Sequence, residues 1–359
     1  MQIAAREILT TQRQQEPVAW WGFYVEALEA GATVSMAKTG SPPTVSLEYS
    51  VNGGRTWSSF DADGGTTTVT LTKARDRAYF RAVTTNARLA SSTSAYHRFV
   101  FGKRVAVGGN ILSLLSSVEI SAFPSTATSA SYCLVSLFRN AATLEDASAL
   151  VLPDSAMPQY CYYSMFQGCT SLTAAPALPA TKLATYCYYQ MFYGCTSLTA
   201  APALPATTLA TYCYYQMFYG CTSLTAAPAL PTTTLAYACY QQMFQGCTSL
   251  TSAPALPATT LADYCYSQMF YGCPSLTAAP ALPATTLATY CYSNMFRNCS
   301  TLRQITTAHT AWSPTNATTN WVSGVSSSGT FSCPAALGDD STITRGTSAC
   351  PTGWTVVNV

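Results

Sequence analysis

Cysteine recurs at a fixed interval in this chain. Cys161, Cys187, Cys213, Cys239, Cys265 and Cys291 are each 26 residues apart, and Cys169, Cys195, Cys221, Cys247, Cys273 and Cys299 repeat the same step. Twelve of the fifteen cysteines thus form a periodic array, the mark of a repeat protein rather than of a disulfide scaffold. One unit runs from Cys195 through Ser197-Leu198-Thr199-Ala200-Ala201-Pro202 and Leu204-Pro205 to Cys213, Met217-Phe218 and Gly220. Six copies span about 156–302. A degenerate copy with Cys133, Phe138, Ala141, Leu144 and Leu152-Pro153 precedes them.

Each unit has two halves. Ser197–Ala201 predicts a short strand stopped by Pro202. Leu209, Cys213 and Met217, at i, i+4 and i+8, predict one face of a helix that starts at Thr207 or Thr208 and ends at Gly220. The few inward side chains of one unit cannot offset the entropy of ordering it, so neighbours must share hydrogen bonds and cover each other's faces. Parallel strands stacked about 4.8 Å apart do both. The expected fold is therefore a right-handed α/β repeat solenoid, curved because helices need more room than strands.

Within that solenoid the twelve periodic cysteines read as reduced, small apolar core residues. Along a helix Cys187 and Cys195 would lie about 12 Å apart, beyond the roughly 7 Å reach of a disulfide. Zinc sites favour closer cysteine pairs. Cys333 and Cys350 lie outside the array and are candidates for a disulfide.

The order Cys195…Leu198…Leu204-Pro205…Met217-Phe218…Cys221 resembles the BspA-like (Treponema-type) leucine-rich repeat. The usual family unit is shorter, with Ile-Gly and Ala-Phe where this chain has Cys213-Tyr214 and Met217-Phe218. The resemblance implies a leucine-rich-repeat solenoid and a surface adhesion or recognition role in bacteria or their phages.

The flanks divide the chain further. Residues 1–17 are a polar N-terminal arm. Residues 18–105 read as an all-β immunoglobulin-like sandwich, with strand-like runs at Phe23–Ala27, Val45–Tyr49, Thr68–Leu71 and Tyr79–Val83. Asn52-Gly53 marks a hairpin turn. Ser50-x-Asn52-x-Gly54-x-Thr56-Trp57 also resembles the Asp-box turn of sialidases, but a single structural hairpin does not carry that function. Residues 106–302 comprise the solenoid, opened by a cap at Ile111–Leu115. Residues 303–359 lose the period and form a C-terminal cap over the last apolar face.

The chemistry expected is sparse. Charged residues are 9% of the chain and the net charge is +2, which excludes an electrostatic nucleic-acid binder. No apolar run is long enough for a membrane span, and Met1–Glu7 lacks the apolar segment of an export signal. Between Ala156 and Phe296 the only charges are Lys182 and Asp263, so the array has no carboxylate pair for acid–base work. Asp61-Ala62-Asp63-Gly64 is a weak cation motif with too few ligands for a calcium loop. No catalytic residue, metal site or cofactor is expected.

Tyrosine is the residue that points to binding. Tyr163, Tyr189 and Tyr215 should stand outward, and Tyr193, Tyr219 and Tyr271 join them as candidate ligand-binding residues. Tyr offers contact area at small entropic cost, to a sugar or to a protein; packing between neighbouring units is the other reading. The expected function is non-enzymatic recognition or decoration on a phage virion, binding a host surface protein or glycan. A bacterial cell-surface adhesin and a purely structural assembly protein are the alternatives. Residues 1–105 would join protein subunits of a larger assembly, and the low charge permits a homo-oligomer.

Overall fold

The computed structural model describes residues 22–63, 65–116, 118, 122–123, 131–154 and 157–359; the arm expected over 1–17 lies outside them. The N-terminal part holds β1 (Tyr24–Ala27), β2 (Ala32–Thr39), β3 (Leu47–Ser50), β4 (Ser58–Phe60), β5 (Val69–Leu71), β6 (Arg77–Ala82), β7 (Ala90–Ser92), β8 (Ala95–Phe101) and β9 (Val105–Asn110). β10 (Leu144–Val151) follows after a 3-10 turn at Ile111–Leu114. The strands form two sheets, ordered β10-β9-β1-β6-β3-β4 and β5-β2-β8-β7. Their inner faces meet through Phe80 of β6 and Phe99 of β8, ring centres 5.3 Å apart, with Phe23 packed against both. The four runs expected as strands overlap β1, β3, β5 and β6.

The turn between β3 and β4 is built by its own side chains. Gly53 and Gly54 take the positive φ angles, 74° and 84°. Asn52 Oδ1 accepts the Thr56 amide at 3.0 Å, and Trp57 Nε1 donates to the Gly54 carbonyl at 3.0 Å.

The first sheet runs on into the repeats. β9 pairs antiparallel with β1 and parallel with β10, so it bridges the boundary expected at 105/106. Bridges Asp146↔Ala174, Ala200↔Ala226, Ala226↔Ser252 and Ala278↔Gln304 carry the parallel register onward. It widens again into β11 (Gln304–Thr306), β12 (Thr330–Cys333) and β13 (Thr355–Asn358), a parallel sheet in that order. The C-terminal region thus keeps the structural period that its sequence loses. Inside the array the strand contracts to single bridges because Pro202 and Pro205 supply no amide hydrogen.

The helix expected over Leu209, Cys213 and Met217 does not form, and no α-helix occurs among the described residues. The chain instead makes successive tight turns with a left-handed residue every fourth position: Tyr186, Gln190 and Gly194 have φ of 59°, 54° and 70°. Amide hydrogens alternate in use. Those of Tyr189, Met191 and Tyr193 close i→i−3 turns. Those of Tyr188, Gln190, Phe192 and Gly194 donate to Cys213, Tyr215, Met217 and Tyr219 of the next unit, at 3.0, 2.9, 2.9 and 2.8 Å. Each non-glycine left-handed residue costs about 1–2 kcal/mol, which the inter-unit bonds offset at about 1 kcal/mol each. The α part of the expected α/β class is corrected accordingly: the backs of the units are turns tied together by a hydrogen-bond ladder.

This four-residue period points two neighbours inward and two outward. Cys213, Tyr214, Met217, Phe218 and Cys221 are all buried. Equivalent rings stack from unit to unit, with Phe192–Phe218 5.6 Å apart and Tyr188–Tyr214 5.8 Å apart. Phe138 stacks on Phe166 at 5.2 Å and also contacts Phe23 and Phe99, so one core runs from the sheets into the repeats.

None of the fifteen cysteines is in a disulfide, and all are buried. In the array each second thiol donates to a carbonyl of the preceding unit, as Cys221 Sγ does to Phe192 at 3.1 Å. The Cys333–Cys350 disulfide is not formed. The Cys350 thiol is turned instead to the Pro351 carbonyl at 3.7 Å, and Cys333 Sγ faces the Asn358 amide at 3.9 Å.

Candidate functional site

The outward positions of the turns assemble into ranks. Tyr163, Tyr189 and Tyr215 form one, with ring centres 4.6 and 4.7 Å apart and planes within 13° of parallel. Tyr193 and Tyr219 form a second at 4.6 Å. Tyr271 does not join it, because Gln245 intervenes; Arg297 lies over its ring at 5.6 Å. A third rank, Tyr132–Tyr160–Tyr186–Tyr212, has spacings of 4.6, 4.6 and 5.0 Å and ends where Ala238 replaces tyrosine.

Stacking at this distance covers the ring faces within a rank. What solvent meets is edges and hydroxyl groups, so a sugar cannot lie flat on Tyr189. Burial raises the hydroxyl pKa of Tyr212 to about 12 and that of Tyr189 further, so both remain donors at neutral pH. Between the ranks runs an amide ladder. Gln190 Nε2 donates to Gln216 Oε1 at 2.5 Å, Gln216 to Gln242 at 2.6 Å, and Gln242 to Gln268 at 2.9 Å.

Six further tyrosines, Tyr162, Tyr188, Tyr214, Tyr240, Tyr266 and Tyr292, are core rather than surface. The helix reading passed over them. The signal was present: theirs is the tyrosine position filled in all six copies, whereas the position of Tyr189 becomes Gln241, Ser267 and Ser293.

The opposite edge of each unit presents proline and alanine. Pro176, Pro179, Pro202 and Pro205 line a shallow groove of about 500 Å³, and Pro254, Pro257, Pro280 and Pro283 one of about 330 Å³. The acidic loop of the N-terminal part is occupied by its own structure. Asp63 Oδ1 pairs with His97 Nε2 at 2.9 Å, and Asp61 accepts the Asp63 amide at 3.0 Å. Among the described residues no group of three or more His, Cys, Asp or Glu is placed to hold a metal ion, and no helix is long and apolar enough to cross a membrane.

Residues 138–251 and 239–316 match the model of the BspA type leucine rich repeat region, in six copies. The array is a BspA-type leucine-rich-repeat region. Its units pack through Leu198, Leu224 and Leu250 on the bridge side and through thiols and rings on the turn side. Neither a curated protein nor a solved structure matches the chain.

Proposed function

We propose that the chain is a non-enzymatic recognition module displayed on a surface, an immunoglobulin-like sandwich carrying a right-handed BspA-type solenoid. The observation that carries this reading is the six-fold BspA-type array itself, a repeat type associated with surface adhesion. The groups it turns outward suit binding: tyrosine edges, amides, hydroxyls and prolines, with Lys182 and Asp263 the only charges from Ala156 to Phe296. Such a surface gives contact area and hydrogen bonds without a desolvated charge.

The array type favours a bacterial cell surface, and a phage particle is the alternative. The partner is a host surface protein or glycan, and the N-terminal sheets join the module to its carrier. Antibody against the chain should label intact bacteria or purified particles, which separates these two carriers. Labelling only after lysis, with none on cells or particles, overturns the reading. Tyr189→Ser with Tyr215→Ser should weaken adhesion to host cells by about tenfold.

A further inference from the structure

The C-terminal end of the stack gathers buried polar atoms that lack protein partners. His309 is fully buried; its Nδ1 meets Thr307 Oγ1, but its Nε2 has no partner. Trp312 Nε1 and Asn316 Oδ1 are buried and unpartnered as well. His309 packs against Trp312 nearly edge-on, ring centres 4.8 Å apart. Over nine-tenths of buried polar groups in folded proteins are paired, so an ordered water or another species is expected beside these atoms.

Trp312 belongs to a second feature too. It lines an open surface depression of about 360 Å³ together with Thr315, Thr318, Thr344, Thr347 and Ser348. The lining supplies one indole and five hydroxyls, and no carboxylate. Thr318 Oγ1 already donates to the Ser348 carbonyl at 2.7 Å, Thr347 Oγ1 to Asn320 Oδ1 at 3.2 Å, and Ser348 Oγ accepts the Asn320 amide at 2.8 Å, so Thr315 and Thr344 carry the hydroxyls open to a ligand. Arg345 also borders the depression, but its guanidinium is committed to Asp340 Oδ1 at 2.7 Å and the Trp354 carbonyl at 2.9 Å. The depression therefore offers hydrogen bonds and an aromatic wall without a free charge. Its volume gives room for one face of a single ring, the other face staying in solvent.

We propose that this depression binds one neutral monosaccharide unit. The Thr315 and Thr344 hydroxyls meet the ring's own hydroxyls, the remaining lone pairs of Thr318, Thr347 and Ser348 accept from it, the Trp312 indole lies against its C–H surface, and water held with the sugar reaches Trp312 Nε1. The proposal gives the recognition reading a ligand class and rests on that reading.

The test titrates the full chain with methyl glycosides of glucose, galactose, mannose, fucose and N-acetylglucosamine, following tryptophan fluorescence. Glucuronate and glucosamine serve as charged controls. At least one neutral glycoside should quench saturably with a Kd in the millimolar range, and the charged sugars should not. Thr344→Trp and, independently, Thr315→Trp fill the depression from exposed positions and should weaken binding by at least about tenfold with melting temperature unchanged. A methyl glycoside that binds as well as its free sugar identifies the terminal unit of a glycan; binding of the reducing sugar alone identifies a free sugar. No saturable quenching by any neutral sugar overturns the proposal, as does binding that survives in both folded variants. Adhesion that persists while no sugar binds sinks the sugar-site proposal and leaves the recognition reading standing.

Discussion

The indole of Trp321 lies over the phenol of Tyr292, ring centres 6.2 Å apart and 25° from parallel. The same indole meets Phe296 at 6.2 Å, and the Phe296 amide donates to the Trp321 carbonyl at 2.8 Å. One residue therefore ends two aromatic columns and continues the backbone ladder. Trp321→Ala should open a void below both rings and cost about 3–5 kcal/mol in urea unfolding. Hydrogen exchange should quicken first at the amides of Tyr292, Asn294 and Phe296. A loss below about 1 kcal/mol would show that the indole does not seal the stack.

Gln216 has φ of 53° and sits mid-way along the amide ladder. Gln216→Ala and Gln216→Gly both lose its two side-chain bonds, so they differ in backbone alone. In a helix glycine is the worse choice by about 1 kcal/mol. At a left-handed position alanine is worse by about 1–2 kcal/mol. Denaturation should find the glycine variant the more stable, and the reverse order would restore the helix.

The 26-residue step of Cys187, Cys213 and Cys239 is enough to show that the units stack, since the unit is too small to stand alone. The conformation of the turn half was harder to read. Leu209, Cys213 and Met217 at i, i+4 and i+8 suit a helix of 3.6 residues per turn and equally a ribbon of four-residue turns. Only Gly220 advertised a left-handed residue; Tyr212 and Gln216 adopt the same geometry where their side chains gain partners in neighbouring units, Tyr186 before and Gln242 after. The outward tyrosines were legible as a pattern. Their mutual stacking depends on inter-unit spacing, which a single unit's sequence does not state. Trp312 and its hydroxyl neighbours lie where the motif has lapsed, and only the fold brings Thr315 and Thr344 together.

Burial raises the thiol pKa of Cys187, Cys221 and Cys239 from 9.0 to about 12. The folded state favours the neutral thiol, so this stabilisation is complete below pH 9 and is lost as pH rises toward 12. The melting temperature should be flat from neutrality to about pH 9 and then fall. Aromatic disulfide reagents should label no array thiol at pH 8 in the native state, and all of them in denaturant. Rapid native labelling would contradict the dry interior.

Burial lowers His309 from 6.5 to about 4, so the folded cap favours the neutral ring. Its contribution is present above pH 6.5 and disappears as pH falls through 4. Acidification across that interval should loosen the C-terminal end by on the order of 3 kcal/mol, read as a red shift and rise in tryptophan exposure. His309→Leu should abolish the pH dependence of that signal. An unchanged acid transition would place its origin elsewhere.

On the turn side the inter-unit amide bonds all point the same way, from each unit to its successor, as Phe192 to Met217 and Phe218 to Met243 show. Front and back of a unit are therefore complementary and interchangeable with those of its neighbours. Duplicating or deleting one whole segment of the gene in register would lengthen or shorten the rod by one ring spacing, 5.6 Å between Phe192 and Phe218, and leave both ends undisturbed. Reach is thus an adjustable property, open to variation between strains without any new interface having to evolve.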